Sequence, residues 1–204
     1  MKQLILGGAR SGKSRLAEEQ AAHWAAQAPG REVVVVVTAR SGPGDPNAPR
    51  DPEMAERIAQ HRARRPADWQ TVEAPVALAT ALRAADGPQR LLLVDCLTLW
   101  LTNLLLADLA PEVDLDTVRH LPLGDTFTRE RTALLDTLPT LQAPVLLIGN
   151  EVGHGIVPLG ALNRQFVDES GRLHQALAAQ CERVDFVMAG CVLALKTAAT
   201  GAPC

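Results

Sequence analysis

The chain of 204 residues has no tyrosine, three phenylalanines, three lysines and four cysteines, and the scarcities narrow what it can be. With lysine so rare and a formal net charge of -3 at pH 7, it lacks the broad basic surface that non-specific nucleic-acid binding requires, so no nucleic-acid partner is expected. The cysteines, Cys96, Cys181, Cys191 and Cys204, form no C-x-x-C pair and have no histidine at ligand spacing. Neither a zinc site nor a disulfide framework is indicated, and all four read as small core or tail residues. No stretch approaches the roughly 18 uninterrupted apolar residues of a membrane span. Even Leu91 to Leu109 is broken by Asp95, Thr98, Thr102, Asn103 and Asp108. The apolar run in the opening MKQLILGG is too short for a secretory signal, so a cytoplasmic protein is expected. There is no internal repeat. The remainder is ordinary globular material: 47% of residues are hydrophobic and 21% charged, which excludes intrinsic disorder. At this length roughly 70% of the unfolded chain's surface can be buried, enough for one domain over residues 1–204 without a staple.

Two kinds of segment alternate. Runs of strand length lie at Gln3 to Leu6, Val33 to Thr38, Leu91 to Asp95, Val145 to Gly149 and Val184 to Ala189. Longer helical stretches lie between them, at Lys13 to Ala28, Pro52 to Arg65, Val76 to Ala85 and Leu159 to Cys181. Runs such as VVVVV and LLLV are apolar on both faces, as strands of a parallel sheet covered on each side must be. The expected class is α/β, a mainly parallel central sheet with helices on both faces. Ser41 to Pro52, with four prolines and two glycines, reads as an irregular loop over the sheet's carboxyl edge, either an active-site loop or a surface insertion. Pro111 to Asp125 is similarly irregular.

The strongest chemical signal is Gly7-Gly8-Ala9-Arg10-Ser11-Gly12-Lys13-Ser14, a full match to G-x-x-x-x-G-K-[ST] placed between a strand and a helix. Gly7 and Gly12 stand where a Cβ would crowd the turn or the anion. Successive amides and the helix N-terminus supply positive potential for a triphosphate. Lys13 adds a compact, movable charge for the β and γ phosphates, and Ser14 offers a hydroxyl to Mg2+. The helix that follows can turn Leu16, Ala17, Ala21 and Trp24 to the sheet. Asp95, directly after four buried aliphatics, is the expected second, metal-side acid; the competing reading makes it the cap of a helix starting near Leu97.

Such a loop serves small-molecule kinases and transferases, GTPase switches and nucleotide-binding regulatory modules. A switch would show D-x-x-G and N-K-x-D, but the corresponding places read Asp95-Cys-Leu-Thr98 and Asn150-Glu-Val-Gly153, which sets that class aside. Nothing generic separates the other two. Met54, Arg57, Ile58, His61 and Arg65 share one face of the helix that Pro66 stops. Among Arg57, Arg62, Arg64 and Arg65 the neutral form of His61 is favoured, leaving a nucleophilic ring nitrogen beside guanidinium groups able to hold phosphate. Alternatively these residues only complement the helix C-terminus.

Taken together, GGARSGKS, the stretch E-M-x-x-R-I-x-x-H-x-x-x-R-P-x-x-W-x-T-x-E from Glu53 to Glu73, N-E-V-G-x-G-I-V-P from Asn150 to Pro158, and Asn163 to Asp168 with Gly171, Arg172 and Gln175 resemble a known family. It is the bifunctional adenosylcobinamide kinases/adenosylcobinamide-phosphate guanylyltransferases of cobalamin biosynthesis. The resemblance implies a RecA-like P-loop fold and two reactions. ATP or GTP, with Mg2+, phosphorylates the aminopropanol hydroxyl of adenosylcobinamide. GMP then passes from GTP, through a covalent histidine intermediate at the position of His61, to give adenosylcobinamide-GDP. It further implies that Thr38, Ala39, Arg40, Arg62, Ala63, Arg64, Arg65, Glu73 and Asp95 line the nucleotide with the Gly7 to Ser14 loop, and that the protein is a homotrimer. Glu151 is expected either to orient substrate or nucleotide or to cap the chain locally. His23, His120 and His174 are expected at the surface or the edge of the core. The alternative is a P-loop kinase of another small alcohol without guanylyl transfer.

Overall fold

The doubly apolar runs form the middle of a seven-stranded sheet. The computed structural model describes residues 1–39, 56, 65–110 and 122–197. Its elements in chain order are β1 (Lys2–Gly7), α1 (Lys13–Ala26), β2 (Glu32–Val37), β3 (Gln70–Glu73), α2 (Leu78–Ala85), β4 (Arg90–Asp95), α3 (Leu97–Ala107) and α4 (Asp125–Thr137). A short 3-10 turn, Leu138–Thr140, then leads to β5 (Val145–Asn150), α5 (Ala161–Gln180), β6 (Arg183–Met188) and β7 (Cys191–Lys196). The strand order is β3-β2-β4-β5-β1-β6-β7; six strands are mutually parallel, and β7 returns antiparallel along β6.

Alternation along each central strand divides the interior into two layers. Ile5, Val33, Val35, Leu91, Leu93 and Ile148 face α1, which lies close because its contact residues, Ala17 and Ala21, are small; Leu16 and Trp24 pack at the margin. Leu4, Leu6, Val34, Leu92, Val94 and Leu147 face the other way, against residues of α2, α3, α4 and α5. Among the described residues α1, which follows the phosphate loop directly, is the one helix that covers the first of these faces. Trp100 of α3 is fully buried, and its indole N–H donates to the Val76 carbonyl at 2.7 Å. The expected five strands and the α/β class agree with this architecture. β3, β7 and α4 were not expected. β3 is a four-residue edge with one apolar position, and α4 buries Phe127, Leu134 and Thr137 with Leu135 packed partly buried beside them.

Of the expected Pro52 to Arg65 helix, Glu56 is helical and Arg65 sits in a bend before Pro66. The rest of that segment, all of the Ser41 to Pro52 loop and residues 111–121 lie outside the described residues. Among the described residues no helix is long and apolar enough to cross a membrane. Cys181 is buried, as expected, but Cys191 is exposed: it opens β7, whose six residues are all exposed.

Candidate active site

In-register pairing brings the ends of β3, β2, β4, β5 and β1 to one edge. Glu73 is level with Val37, Val37 with Asp95, Asp95 with Ile148, and Gly7 with Asn150. The phosphate loop leaves this edge at β1. A Cβ on Gly7 would stand 2.4 Å from the Val187 carbonyl oxygen and 2.6 Å from Ser11 Oγ, whereas at Gly8 it would meet nothing within 4 Å. Gly12 has φ of +102°, the left-handed conformation that favours glycine, and Arg10 also takes positive φ. Ala9 and Arg10 are exposed at the loop's crest; Ser11 and Lys13 are buried. Lys13 folds over the loop, its Nζ donating to the Gly8 carbonyl at 3.0 Å. Ser14 stands in the first turn of α1, and no side chain caps that helix, so its first amides are turned toward the loop's concavity. Ser11 Oγ is buried with no hydrogen-bond partner, an orphaned hydroxyl at the place where the motif puts an anion.

The loop is propped from outside. Ala189 and Gly190 both have positive φ and form the two-residue turn of the β6–β7 hairpin, and the Gly190 N–H donates to the Ser11 carbonyl at 2.8 Å. Sequence reasoning missed this support because the turn is an Ala-Gly pair, without the Asn-Gly or Asp-Gly signal.

Asp95, at the end of β4, does not cap α3; the cap position is Cys96, with no side-chain bond to the helix. Its carboxylate instead accepts from Arg65 Nη2 at 2.6 Å, and Arg65 Nε lies 3.7 Å from Glu18 of α1. The Arg65 side chain is only 6% exposed, so this guanidinium is a buried counter-ion to two acids from different elements. Glu18 gave no sequence signal, since an acid in the second turn of a surface helix is unremarkable. Thr38 is fully buried: its hydroxyl donates to the Cys96 carbonyl at 2.7 Å and accepts from the Cys96 N–H at 3.0 Å. Asn103 Nδ2 holds the Thr38 carbonyl at 2.9 Å, and Ala39 follows half-buried. On the α1 side of the same edge a cleft of about 420 Å³ is lined by Arg65, Pro66, Ala67, Trp69, Thr71 and Glu73.

At the end of β5, the Glu151 N–H donates to the Gly7 carbonyl at 3.1 Å, tying that strand to the phosphate loop. The Glu151 carboxylate accepts from the Gly153 N–H at 2.6 Å, the local cap that sequence allowed as one alternative. Its other oxygen lies 3.6 Å from Nδ1 of His174 on α5. His174 is buried against Gly149, where a Cβ would come within 2.9 Å of its Nε2. Burial pushes the imidazole pKa below its ordinary value and outweighs the opposing pull of Glu151.

Residues 3–195 match a family model described as CobU, cobinamide kinase / cobinamide phosphate guanyltransferase. The chain belongs to the CobU family. It is 50% identical over 196 residues to the bifunctional adenosylcobalamin biosynthesis protein CobP of Pseudomonas aeruginosa, covering 96% of this chain and 98% of that one. It is 36% and 37% identical to the bifunctional adenosylcobalamin biosynthesis proteins CobU of Escherichia coli and Salmonella typhimurium, covering 96% of this chain and all of each relative. Among solved structures it resembles an ATPase from the type III secretion system of pathogenic bacteria, with TM-score 0.51 and 11% identity over 91% of this chain. It also resembles the ATPase EscN of enteropathogenic E. coli, with TM-score 0.50 and 13% identity over 92% of this chain. The chain spans about half or less of those two structures, 50% and 43%, and at such identity the likeness carries the P-loop ATPase fold alone. Of the site residues expected from the CobU family pattern, the Gly7 to Ser14 loop, Thr38, Ala39, Arg65, Glu73 and Asp95 stand along one edge. Arg40, His61, Arg62, Ala63 and Arg64 lie outside the described residues.

Proposed function

We propose that this chain carries both activities of its family on one phosphate loop: it phosphorylates adenosylcobinamide and then converts the product to adenosylcobinamide-GDP. The observation that supports this most directly is the alignment of the Lys13 loop, the acid Asp95 and the Glu73 cleft along one edge of the sheet.

In the first reaction the aminopropanol oxygen attacks the γ phosphorus of ATP or GTP, the bond to the β–γ bridging oxygen breaks, and the hydroxyl proton leaves to solvent. The protein's part is positioning and charge neutralisation. Loop amides and Lys13 hold the β and γ phosphates. A hard divalent cation takes only one or two protein oxygens beside those of a nucleotide, and the Ser14 hydroxyl and Asp95 carboxylate are oxygen donors of that kind. Mg2+ held by them would offset charge on the leaving phosphate. Arg65 would have to share or release Asp95 for that to happen.

In the second reaction neutral His61 attacks the α phosphorus of GTP; an N–P bond forms, the α–β bridging P–O bond breaks and pyrophosphate leaves. A phosphate oxygen of adenosylcobinamide phosphate then displaces the imidazole, forming the new P–O bond and restoring the free histidine. An uncharged nucleophile avoids bringing two polyanions together in one step. The Glu73 cleft suits the base, because a carboxylate can accept from both the ring N–H and the amino group of guanine. Arg40, Arg62 and Arg64 would supply phosphate contacts, and the working form would be a cytoplasmic homotrimer.

The test is incubation with GTP labelled at the α phosphate. The expected result is an acid-labile, alkali-stable GMP adduct on the wild type, its loss in His61→Ala, and retention of kinase activity in that variant. Adduct persisting in His61→Ala assigns the nucleophile elsewhere, and a wild type that phosphorylates adenosylcobinamide without forming any adduct leaves the kinase reaction alone.

A further inference from the structure

Between β5 and α5 the chain displays three large aliphatic side chains to solvent: Ile156 is 97%, Val157 69% and Leu159 96% exposed. The segment that carries them is held at both ends. Its entry is fixed by the Glu151 N–H on the Gly7 carbonyl, by the Gly153 N–H on the Glu151 carboxylate and by His174 behind that carboxylate. Its exit is fixed by Arg164, whose Nη1 donates to the Pro158 carbonyl at 3.3 Å and to the Leu159 carbonyl. Between them the His154 ring packs on Phe186 of β6, with centroids 5.8 Å apart. A braced loop keeping three aliphatics in water is unfavourable in the free protein and calls for an apolar occupant.

Location selects the occupant. The Glu73 cleft and Arg65 lie toward the β3 end of the sheet edge on the α1 side. The loop begins beside the phosphate loop and runs on the opposite, α5 side, where Glu151 meets His174 and His154 meets Phe186. In phosphoryl transfer the attacking and leaving oxygens stand roughly in line on opposite sides of the phosphorus. With the nucleotide entering from the cleft side, the acceptor is left to approach from the side of this loop. That acceptor is a broad, methyl-rich macrocycle bearing one hydroxyl arm, a shape that needs an apolar support some distance from the reacting oxygen. We propose that Ile156, Val157 and Leu159 form the platform on which the corrin ring of the acceptor rests, so that its aminopropanol arm reaches over Glu151 to the phosphate loop. The assignment rests on the functional reading above and extends it to a site for the acceptor.

The test is the double variant Ile156→Ser/Leu159→Ser, whose two positions are almost wholly in solvent and therefore outside the packed core. Three measurements are made beside the wild type: kinase kinetics against adenosylcobinamide and against nucleotide, GMP labelling from GTP in the absence of acceptor, and sedimentation. The expected result is a rise of about tenfold or more in KM for adenosylcobinamide, as loss of two buried aliphatic contacts implies. Nucleotide KM, GMP labelling and sedimentation should stay within about twofold of wild type or unchanged. An acceptor KM within twofold of wild type overturns the platform. So does a variant that sediments as a smaller species, which would make the patch a contact between copies of the chain. A wild type that forms the GMP adduct but does not phosphorylate adenosylcobinamide overturns the functional reading and the platform with it, a result distinct from either variant outcome.

Discussion

Gly7 and Gly8 are neighbours in the phosphate-loop motif, yet a methyl group would meet very different surroundings at the two. At Gly7 it would press on the backbone oxygen of Val187, 2.4 Å away, and on Ser11 Oγ. That oxygen belongs to the backbone of β6 at the last pair of its ladder with β1, where β6 is also paired with β7 on its other side, and it cannot turn aside as a side chain could. Gly7→Ala is therefore expected to push β1 and β6 apart at the mouth of the loop and to cost about 1–3 kcal/mol, the usual range for overpacking. Gly8→Ala, facing open space, should stay within about 0.5 kcal/mol of wild type. Urea denaturation of both variants checks the contrast. Equal losses would mean that the loop's glycines serve conformational freedom alone, and close approach of the strands would play no part. His174 illustrates another constraint at this scale: its ring is admitted to the core because Gly149 has no side chain, a relation between β5 and α5 that no motif announces.

Arg65 ties elements together. It follows the segment that carries His61, and its guanidinium reaches Asp95 at the end of β4 and Glu18 in α1. Removing it would leave two largely buried carboxylates near one another without that cation, a loss of about 3 kcal/mol by analogy with other broken buried ion pairs. Arg65→Ala should thus be strongly destabilising in chemical denaturation, and Asp95→Asn in the same background should restore a substantial part of the loss. A cost below about 1 kcal/mol would show that water replaces the guanidinium freely. The contact also marks where reading the sequence reached its limit. β1, β2, β4 and β5 were legible because strands buried on both faces are nearly continuous aliphatic runs. The phosphate loop was legible because its chemistry resides in backbone conformation, which demands glycine at set positions. β3 has the sequence QTVE and α4 is DTFTRERTALLDT; each owes its conformation to the neighbour it packs on and carries little periodicity of its own. Whether Arg65 would meet a phosphate, Asp95 or Glu18 depends on three segments distant in the chain, and spacing holds no information about that.

For the whole molecule, the loop's position couples nucleotide binding to global stability. β1 lies between β5 and β6 and contributes Ile5 to the layer under α1 and Leu4 and Leu6 to the layer under the other helices, so it stays intact only while both layers are packed. A ligand held by the turn after β1 therefore binds the folded chain and has no comparable site on the unfolded one. At a nucleotide concentration about a hundred times Kd the linkage is worth about 2.7 kcal/mol. In a chain of this size each kcal/mol moves the midpoint of thermal unfolding by about 2–4 °C. GTP with Mg2+ at that concentration should accordingly raise Tm by about 5–11 °C. Lys13→Ala should remove most of the rise while leaving the Tm of the nucleotide-free protein close to wild type. In the folded chain its ammonium donates to the Gly8 carbonyl at 3.0 Å, a bond worth about 1 kcal/mol, whereas with nucleotide bound it would face the charge of two phosphates. A thermal-shift titration of both proteins decides the matter. Were Lys13→Ala to keep the full shift, the triphosphate would have to lie away from the turn after β1, and Asp95 and the Glu73 cleft would need another explanation for sharing its edge.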